Sequence, residues 1–325
     1  MKSPAFLLRL LAATFAIWFP AAVRADRTPE TLFLRATETA EKLSAIQTAS
    51  VEYRPVTGHG PAVWLVSVAH LGTPEYFAAI QQRLDAKSIV LFEGVGLEDQ
   101  MQASPGAATH EEGIQKQLSN ALGLVFQLDA IDYRRKNFVN SDLPVAGVEK
   151  EIRARTETAA APNETYQMLM GAIQGSPQTM DLLKPMMAFL TASPEMRETT
   201  RLLLIEVLSR AEEMVGFAKS ISPEMKDLFD VLLTGRNAIV LRDLKTQIAQ
   251  HPPGETIAIF YGAAHMTELA KRLREELHYA PAAQVWDTAF TADPKKSALP
   301  PAQLKMMLDM VRAQVKQAEA KRPEQ

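Results

Sequence analysis

The stretch AVWLVSVAHLGTPEYFAAIQQRLDAKSIVLFEG, residues 62–94, decides the fold class. Residues 62–68 are apolar on both faces, which is typical of a strand covered by helices on both sides. Thr73 followed by Pro74 indicates a helix start, because threonine caps a helix and proline suits its first turn. Residues 88–92 form a second continuous apolar run. Strand, helix and strand in this short span predict a βαβ unit with parallel strands.

The rest of the chain continues this pattern of strands and helices. Further strands are predicted at 143–148, 256–261 and 283–290, and helices at 112–133, 267–277 and 301–320, while residues 27–50 have helical character. From 151 to about 252 the apolar periodicity is helical throughout. We therefore predict one α/β domain over residues 26–325, with a largely parallel central sheet flanked by helices, an all-helical insertion at about 151–252 and a C-terminal helix at about 301–320.

Composition excludes several classes of protein. The chain has 325 residues, of which 47% are hydrophobic, so it can bury a large core. The formal net charge of −3 gives no electrostatic basis for binding nucleic acid, and we expect no such partner. The absence of cysteine excludes disulfides, thiol catalysis and cysteine zinc sites.

The N-terminus has the pattern of a signal peptide. Lys2 precedes a largely apolar stretch at residues 6–22, and Val23-Arg24-Ala25 offers a cleavage site before Asp26. We therefore expect residues 1–25 to be removed and the mature chain, without a transmembrane span, to be extracytoplasmic, either periplasmic or secreted. The alternative is an uncleaved N-terminal membrane anchor.

Two histidines occupy matching positions in two similar segments. VWLVSVAHLG ends a strand with His70, and IAIFYGAAHM ends another with His265. The carboxyl ends of parallel strands form the edge of a sheet where ligands bind. A nearby helix N-terminus disfavours the protonated imidazole, so each ring would stay neutral and able to bind a metal. The alternative is two unrelated buried histidines, each bonded to a backbone carbonyl.

Glu93 closes the second strand of the βαβ unit. If that strand is a parallel neighbour of the first, the carboxylate lies near His70. Two histidines and a carboxylate suit a divalent transition metal with open positions, which can polarise a carbonyl for hydrolysis. The alternative role for Glu93 is to cap the following helix.

The order of these motifs resembles the TraB/PrgY/GumN family, which includes the Tiki metalloproteases and is more distantly related to the ChaN and erythromycin-esterase group. The resemblance spans roughly residues 63–290. Its hallmark is a pair of Gly-x-x-His motifs with a glutamate between them. The second motif is intact at Gly262 to His265, whereas the first has Ser67 in place of glycine.

The resemblance implies that His70, Glu93 and His265 form a site for a divalent ion such as manganese, cobalt or zinc. It also implies that Arg236 and Asn237 lie near the site with Glu93 as catalytic residues. An arginine there could bind a substrate carboxylate or an oxyanion, or instead form a structural salt bridge.

Two further acidic residues are weaker candidates. Asp142 could be the partner of a site histidine, and Glu149 ends the strand predicted at 143–148 as Glu93 ends its own.

The interpretation that fits these features best is an exported metal-dependent hydrolase, with peptides as the favoured substrate class and a small molecule as the alternative substrate. The rival interpretation is a non-catalytic protein of the same fold that binds a peptide or a signalling molecule. Ser67 in place of the motif glycine is the feature that supports this non-catalytic interpretation.

Overall fold

The structure, a computed structural model, describes residues 32–94, 114–144, 147, 150–151, 181, 185, 187–190, 192–211, 219 and 223–320. The predicted signal peptide at 1–25 and the candidate Glu149 lie outside the described residues. Among the described residues, those at 150–252 that are in regular structure are all helical, as predicted for the insertion.

A central sheet with helices on both faces organises the chain, so the predicted α/β class is confirmed. Its strands are β1 Leu34–Glu38, β2 Ser44–Pro55, β3 Ala62–Val68, β5 Ile89–Phe92, β7 Phe138–Asn140, β8 Thr256–Gly262 and β9 Tyr279–Ala292. The strand order is β1-β2-β3-β8-β5-β7, and β9 also pairs with β2. The β3, β8, β5 and β7 strands are parallel to one another, whereas β1, β3 and β9 are antiparallel to β2.

Helices pack on both faces of this sheet. They are α1 Pro74–Asp85, α2 Ile114–Leu122, α3 Gln127–Ala130, α4 Pro194–Leu208, α5 Pro223–Phe229, α6 Arg236–Gln250, α7 Ala263–Glu275 and α8 Pro301–Ala320, and a π-helical segment, Asp230–Gly235, joins α5 to α6. A second, two-stranded sheet is formed by β4 Leu71–Gly72 and β6 Val125–Phe126.

The predicted βαβ unit is confirmed as β3, α1 and β5. Thr73 caps α1 by accepting a hydrogen bond from the Tyr76 amide, with Pro74 in the first turn. Alternate residues of β3 pack in two different cores, with Val66 and Val68 in one and Val63 and Leu65 in the other. Burial on both faces explains why the strand sequence is continuously apolar.

The prediction of helical character at 27–50 is wrong, since β1 and β2 occupy the described part of that segment. Alanines such as Ala45 and Ala49 favour helices intrinsically. Here they are fully buried in β2, between β9 on one side and β1 and β3 on the other. Pairing with strands distant in sequence therefore overrides the local preference.

The strand predicted at 143–148 is also wrong for the residues of that range that the structure describes, since 143 and 144 lie outside any strand and 147 is helical; the fourth parallel strand is β7, which ends at Asn140. Ser141 donates the last backbone bond to Phe92, and the Leu143 amide then donates to the side chain of Asp142. Pro144 has no amide hydrogen for a ladder, so the chain leaves the sheet here.

Two predicted helices have different bounds. The helix predicted at 112–133 ends at Leu122, because Gly123 follows with φ 63°, a left-handed conformation that terminates helices. The helix predicted at 267–277 begins at Ala263, so His265 lies in its first turn. The predicted strand at 283–290 and helix at 301–320 are confirmed within the longer β9 and as α8.

Candidate active site

The carboxyl ends of three adjacent parallel strands bring the candidate residues together. The β8 strand lies between β3 and β5. His70 follows β3 by two residues, Glu93 directly follows β5, and His265 lies three residues after Gly262, which ends β8. All three side chains therefore start from the same edge of the sheet, as the sequence predicted.

Gly262 is the point on which two of these side chains converge. Its amide donates a 2.8 Å hydrogen bond to Oε2 of Glu93. A Cβ atom at this position would lie 3.3 Å from Oε2 of Glu93 and 3.3 Å from Nε2 of His70. These distances are tighter than ordinary contacts, so the glycine of the second motif leaves space for the two groups.

The His265 ring is buried, with 3% of its surface exposed. Its Nδ1 atom lies 2.7 Å from the carboxamide oxygen of Asn237. A carboxamide oxygen can only accept, so Nδ1 carries the proton and Nε2 holds the lone pair of the neutral ring. The Nε2 atom lies 3.7 Å from Oε1 of Glu93. The free nitrogen of His265 therefore faces the carboxylate.

The environment keeps His265 neutral. Burial lowers the pKa of His265 to about 4; Glu93 opposes this shift and the positive charge of Arg236 adds to it. At neutral pH the ring is therefore a lone-pair donor.

His70 is held in the same way by a residue that the sequence analysis missed. Its Nδ1 atom lies 2.7 Å from the carboxamide oxygen of Gln127, and the amide nitrogen of Gln127 donates to the hydroxyl of Tyr133 at 2.7 Å. Gln127 is 57 residues from His70 and starts the four-residue helix α3. The sequence pattern around Gln127 carries no signal for this contact.

Arg236 connects Glu93 to a second buried carboxylate. It donates to Oε1 of Glu93 at 2.6 Å and to both oxygens of Asp142 at 2.8 and 2.6 Å. The Asp142 side chain has no exposed surface, and that of Arg236 is 8% exposed. The structure thus places Arg236 between two carboxylates of the protein, and Asp142 contacts Arg236 where a histidine partner was expected.

These contacts set the charge of Glu93. Burial alone would raise the pKa of Glu93, but Arg236, the two histidines and the Gly262 amide outweigh it and hold this pKa well below the usual range. Glu93 is therefore ionised. Both of its oxygens already accept hydrogen bonds, one from Arg236 and one from Gly262.

Asn237 lies next to Arg236 at the start of α6, directly after the π-helical segment. Its amide nitrogen donates to Glu268, which forms a 2.7 Å ion pair with Arg272 one turn further along α7. Asn237 thus links His265 to a charged pair on the same helix. Neither Glu268 nor Arg272 was predicted, because they share no motif with Asn237.

Ser67, the departure from the first motif, points away from these groups. Its buried hydroxyl donates to the backbone carbonyl of Phe33 at 3.1 Å. Serine at this position therefore has a structural partner of its own.

Two negative findings apply to the part of the chain that the structure describes. None of its helices is long and apolar enough to cross a membrane. It also contains no ready-made group of three or more His, Cys, Asp or Glu side chains able to hold a metal ion.

Comparison of the chain with protein-family models, curated proteins and solved structures finds no match. The resemblance to the TraB/PrgY/GumN family therefore stays a prediction based on the motifs and their order.

Proposed function

We propose that this chain is an exported metal-dependent hydrolase that acts on peptides, with its site at His70, Glu93 and His265. The observation that supports this most is the proximity of three groups around Glu93 and Gly262. Glu93 and His70 both lie within 3.3 Å of the position of a Cβ on Gly262, and Nε2 of His265 lies 3.7 Å from the Glu93 carboxylate.

The donor set fits a divalent transition metal. Each imidazole has its Nδ1 bonded to a carboxamide oxygen, which leaves Nε2 of His70 and of His265 as lone-pair donors. Two such nitrogens and one carboxylate are the ligands that zinc, cobalt and manganese use in hydrolases. An ion bound by these residues would supply Lewis acidity to polarise a substrate carbonyl.

The protein's own groups would support that chemistry. Glu93 is ionised, and its lowered pKa suits a carboxylate that binds an ion rather than one that takes up a proton. Arg236 pairs with both Glu93 and Asp142, but its single positive charge balances only one of them, so a bound cation would compensate the negative charge that remains. The neutral His265 ring keeps its lone pair available at neutral pH.

Metal titration by calorimetry tests the site directly. Zinc, manganese or cobalt should bind the purified protein, and His70→Ala and His265→Ala should each weaken binding far more than His59→Ala, a matched change at an exposed loop histidine. Equal affinity in wild type and His265→Ala would overturn the shared site. Cleavage of a synthetic peptide mixture, read by mass spectrometry, should stop with a chelator and return with added metal.

A second function is favoured by one observation. Arg236 and Gly262 already bind both oxygens of Glu93, so an ion would have to share the carboxylate with them and use its remaining lone pairs. A non-catalytic protein that binds a peptide or a signalling molecule needs no ion at this carboxylate. Peptide binding without cleavage in the metal-supplemented protein would support this function and contradict the hydrolase.

Export is part of the proposal and rests on the N-terminal sequence. The mature protein should begin at Asp26 and occur in a periplasmic or secreted fraction. N-terminal sequencing that finds Met1 on cytoplasmic protein would contradict export without affecting the site.

A further inference from the structure

The small sheet of β4 and β6 places Gln127 opposite His70. Leu71 pairs with Phe126 in this antiparallel register. The next position brings the Gln127 amide to within 2.9 Å of the His70 carbonyl. The backbone and the side chain of Gln127 therefore both bind His70. The backbone bond fixes the His70 main chain, and the side-chain bond fixes its ring.

Tyr133 binds the other end of the Gln127 side chain. Gln127 is 2% exposed, and its amide nitrogen donates to the Tyr133 hydroxyl at 2.7 Å. With the nitrogen end directed to Tyr133, the oxygen end faces Nδ1 of His70. The Tyr133 ring is itself held by Phe92, the residue before Glu93, at 5.0 Å between ring centroids.

We propose that Gln127 and Tyr133 form a positioning relay that holds His70 in its Nδ1–H tautomer, so that its lone pair is on Nε2, the ring nitrogen that approaches Gly262. Asn237 holds His265 in the matching tautomer. The partner of one ring nitrogen decides which nitrogen carries the proton, and a carboxamide oxygen requires the proton on Nδ1. The relay and Asn237 thus place the lone pair of both histidines on the same ring nitrogen, Nε2.

The role of this tautomer in metal binding rests on the proposed function. The assignment of the tautomer does not, because it follows from the contact between His70 and Gln127. In the opposite form, the Nε2 atom of His70 would carry a proton and could not donate a lone pair. Loss of an outer partner of a ligating histidine typically costs about 10- to 100-fold in metal affinity. The tautomer and the affinity can therefore be measured separately.

The first experiment is a long-range ¹H–¹⁵N spectrum of the whole metal-free protein at about pH 8.5, about two units above the ordinary histidine pKa of about 6.5. His70 and His265 should both show the Nδ1–H form. His251 should show it too, because its Nδ1 lies 2.8 Å from the Gln247 carbonyl, and it serves as an internal reference.

Gln127→Met removes the acceptor at nearly constant length and should convert His70 to the Nε2–H form, with His265 and His251 unchanged. Gln127→Glu keeps an acceptor and should keep the Nδ1–H form. Gln284→Met, the same change on the exposed part of β9, is the matched control and should alter no histidine.

An Nε2–H form of His70 in wild type, or an unchanged Nδ1–H form in folded Gln127→Met, would overturn the relay. If Gln127→Met does not fold, Tyr133→Phe takes its place. This change removes the partner of the Gln127 amide nitrogen and should give a mixed His70 signal, whereas an unchanged signal would contradict the role of Tyr133.

The second experiment is zinc titration of the same variants. Gln127→Met should lose about 10- to 100-fold in affinity, and Gln127→Glu should recover most of that loss. If wild type binds no zinc, the proposed function fails, while the spectra still decide whether Gln127 sets the His70 tautomer. If zinc binds equally to wild type and folded Gln127→Met, the role of the relay in metal binding is refuted.

Discussion

Arg236 and Asp142 form a bidentate ion pair, and the carboxylate of Asp142 is fully buried. The pair lies 94 residues apart in sequence and joins the segment after β7 to the start of α6. Asp142 also accepts hydrogen bonds from the amides of Gly94 and Leu143. Asp142 therefore holds two chain segments in place, the one that follows Glu93 and the one that follows β7.

Asp142→Asn should destabilise the protein strongly. The change leaves the buried Arg236 charge with Glu93 as its remaining negatively charged partner among the described contacts. Breaking a buried pair typically costs about 3–5 kcal/mol. Chemical denaturation should show this loss. Asp129→Asn, which breaks the exposed Lys116–Asp129 pair, is the matched control and should cost less than about 1 kcal/mol. Equal effects of the two changes would contradict a structural role for Asp142.

Gly262→Ala should disturb the site more than the fold. The φ angle of −52° suits alanine, so the backbone is not strained, but the added Cβ would press on Glu93 and His70 at 3.3 Å. We expect metal affinity, measured by calorimetry, to fall at least tenfold, which corresponds to about 1.4 kcal/mol of binding free energy.

Gly235→Ala is the control for that change, since its added Cβ would meet nothing closer than 3.9 Å. It should leave metal affinity unchanged and keep or slightly raise stability, because alanine favours helices over glycine. A Gly262→Ala protein with wild-type affinity would show that the glycine is not needed for close approach of the two groups.

Ser67→Gly should leave metal affinity within about twofold, a difference of about 0.4 kcal/mol. The physical reason is that the Ser67 hydroxyl bonds to the Phe33 carbonyl and not to a site residue. Loss of this buried hydrogen bond should lower the free energy of unfolding by about 1 kcal/mol. A large loss of affinity without loss of stability would instead place Ser67 in the site.

The parts of the fold that could be predicted from sequence are those whose pattern is local. The β3–α1–β5 unit shows continuous apolar strands and the Thr73-Pro74 helix start within residues 62–94, and each element needs only its own sequence to be recognised. By contrast, β2 is rich in alanine and polar residues and becomes a strand only because β3 and β9 pair with it. Its burial depends on chain segments that local pattern does not connect.

The same division applies to the site. The proximity of His70, Glu93 and His265 could be predicted because each follows an apolar strand, and parallel strands bring their carboxyl ends together. Gln127 could not, because it reaches His70 through a two-residue strand pairing and a four-residue helix. Elements this short have no periodicity to recognise.

The last prediction concerns the attachment of the C-terminal helix and its pH dependence. Glu206 on α4 is 8% exposed and accepts two hydrogen bonds from Arg312 on α8, at 2.8 and 2.7 Å, and one from Arg210 at 2.8 Å. Burial raises the pKa of Glu206, but the two arginines outweigh it and leave this pKa below its ordinary value.

A carboxyl group whose pKa is lower in the folded state stabilises the protein above the unfolded pKa, about 4.3 for glutamate. That stabilisation is lost as the pH falls through the lower, folded value. Glu206→Gln should therefore be less stable than wild type at pH 7, and the difference should shrink below about pH 4.3. Urea denaturation across this pH range measures both effects.

Arg312→Leu supplies the control for this interpretation. In that background Glu206 keeps Arg210 as its partner among the described contacts, so Glu206→Gln should cost less stability at pH 7 and its cost should vary less with pH. If Arg312→Leu leaves the pH dependence of the Glu206→Gln effect unchanged, Arg312 does not set the pKa of Glu206. The shift would then come from Arg210, and the ion pair between α4 and α8 would contribute little to holding the C-terminal helix.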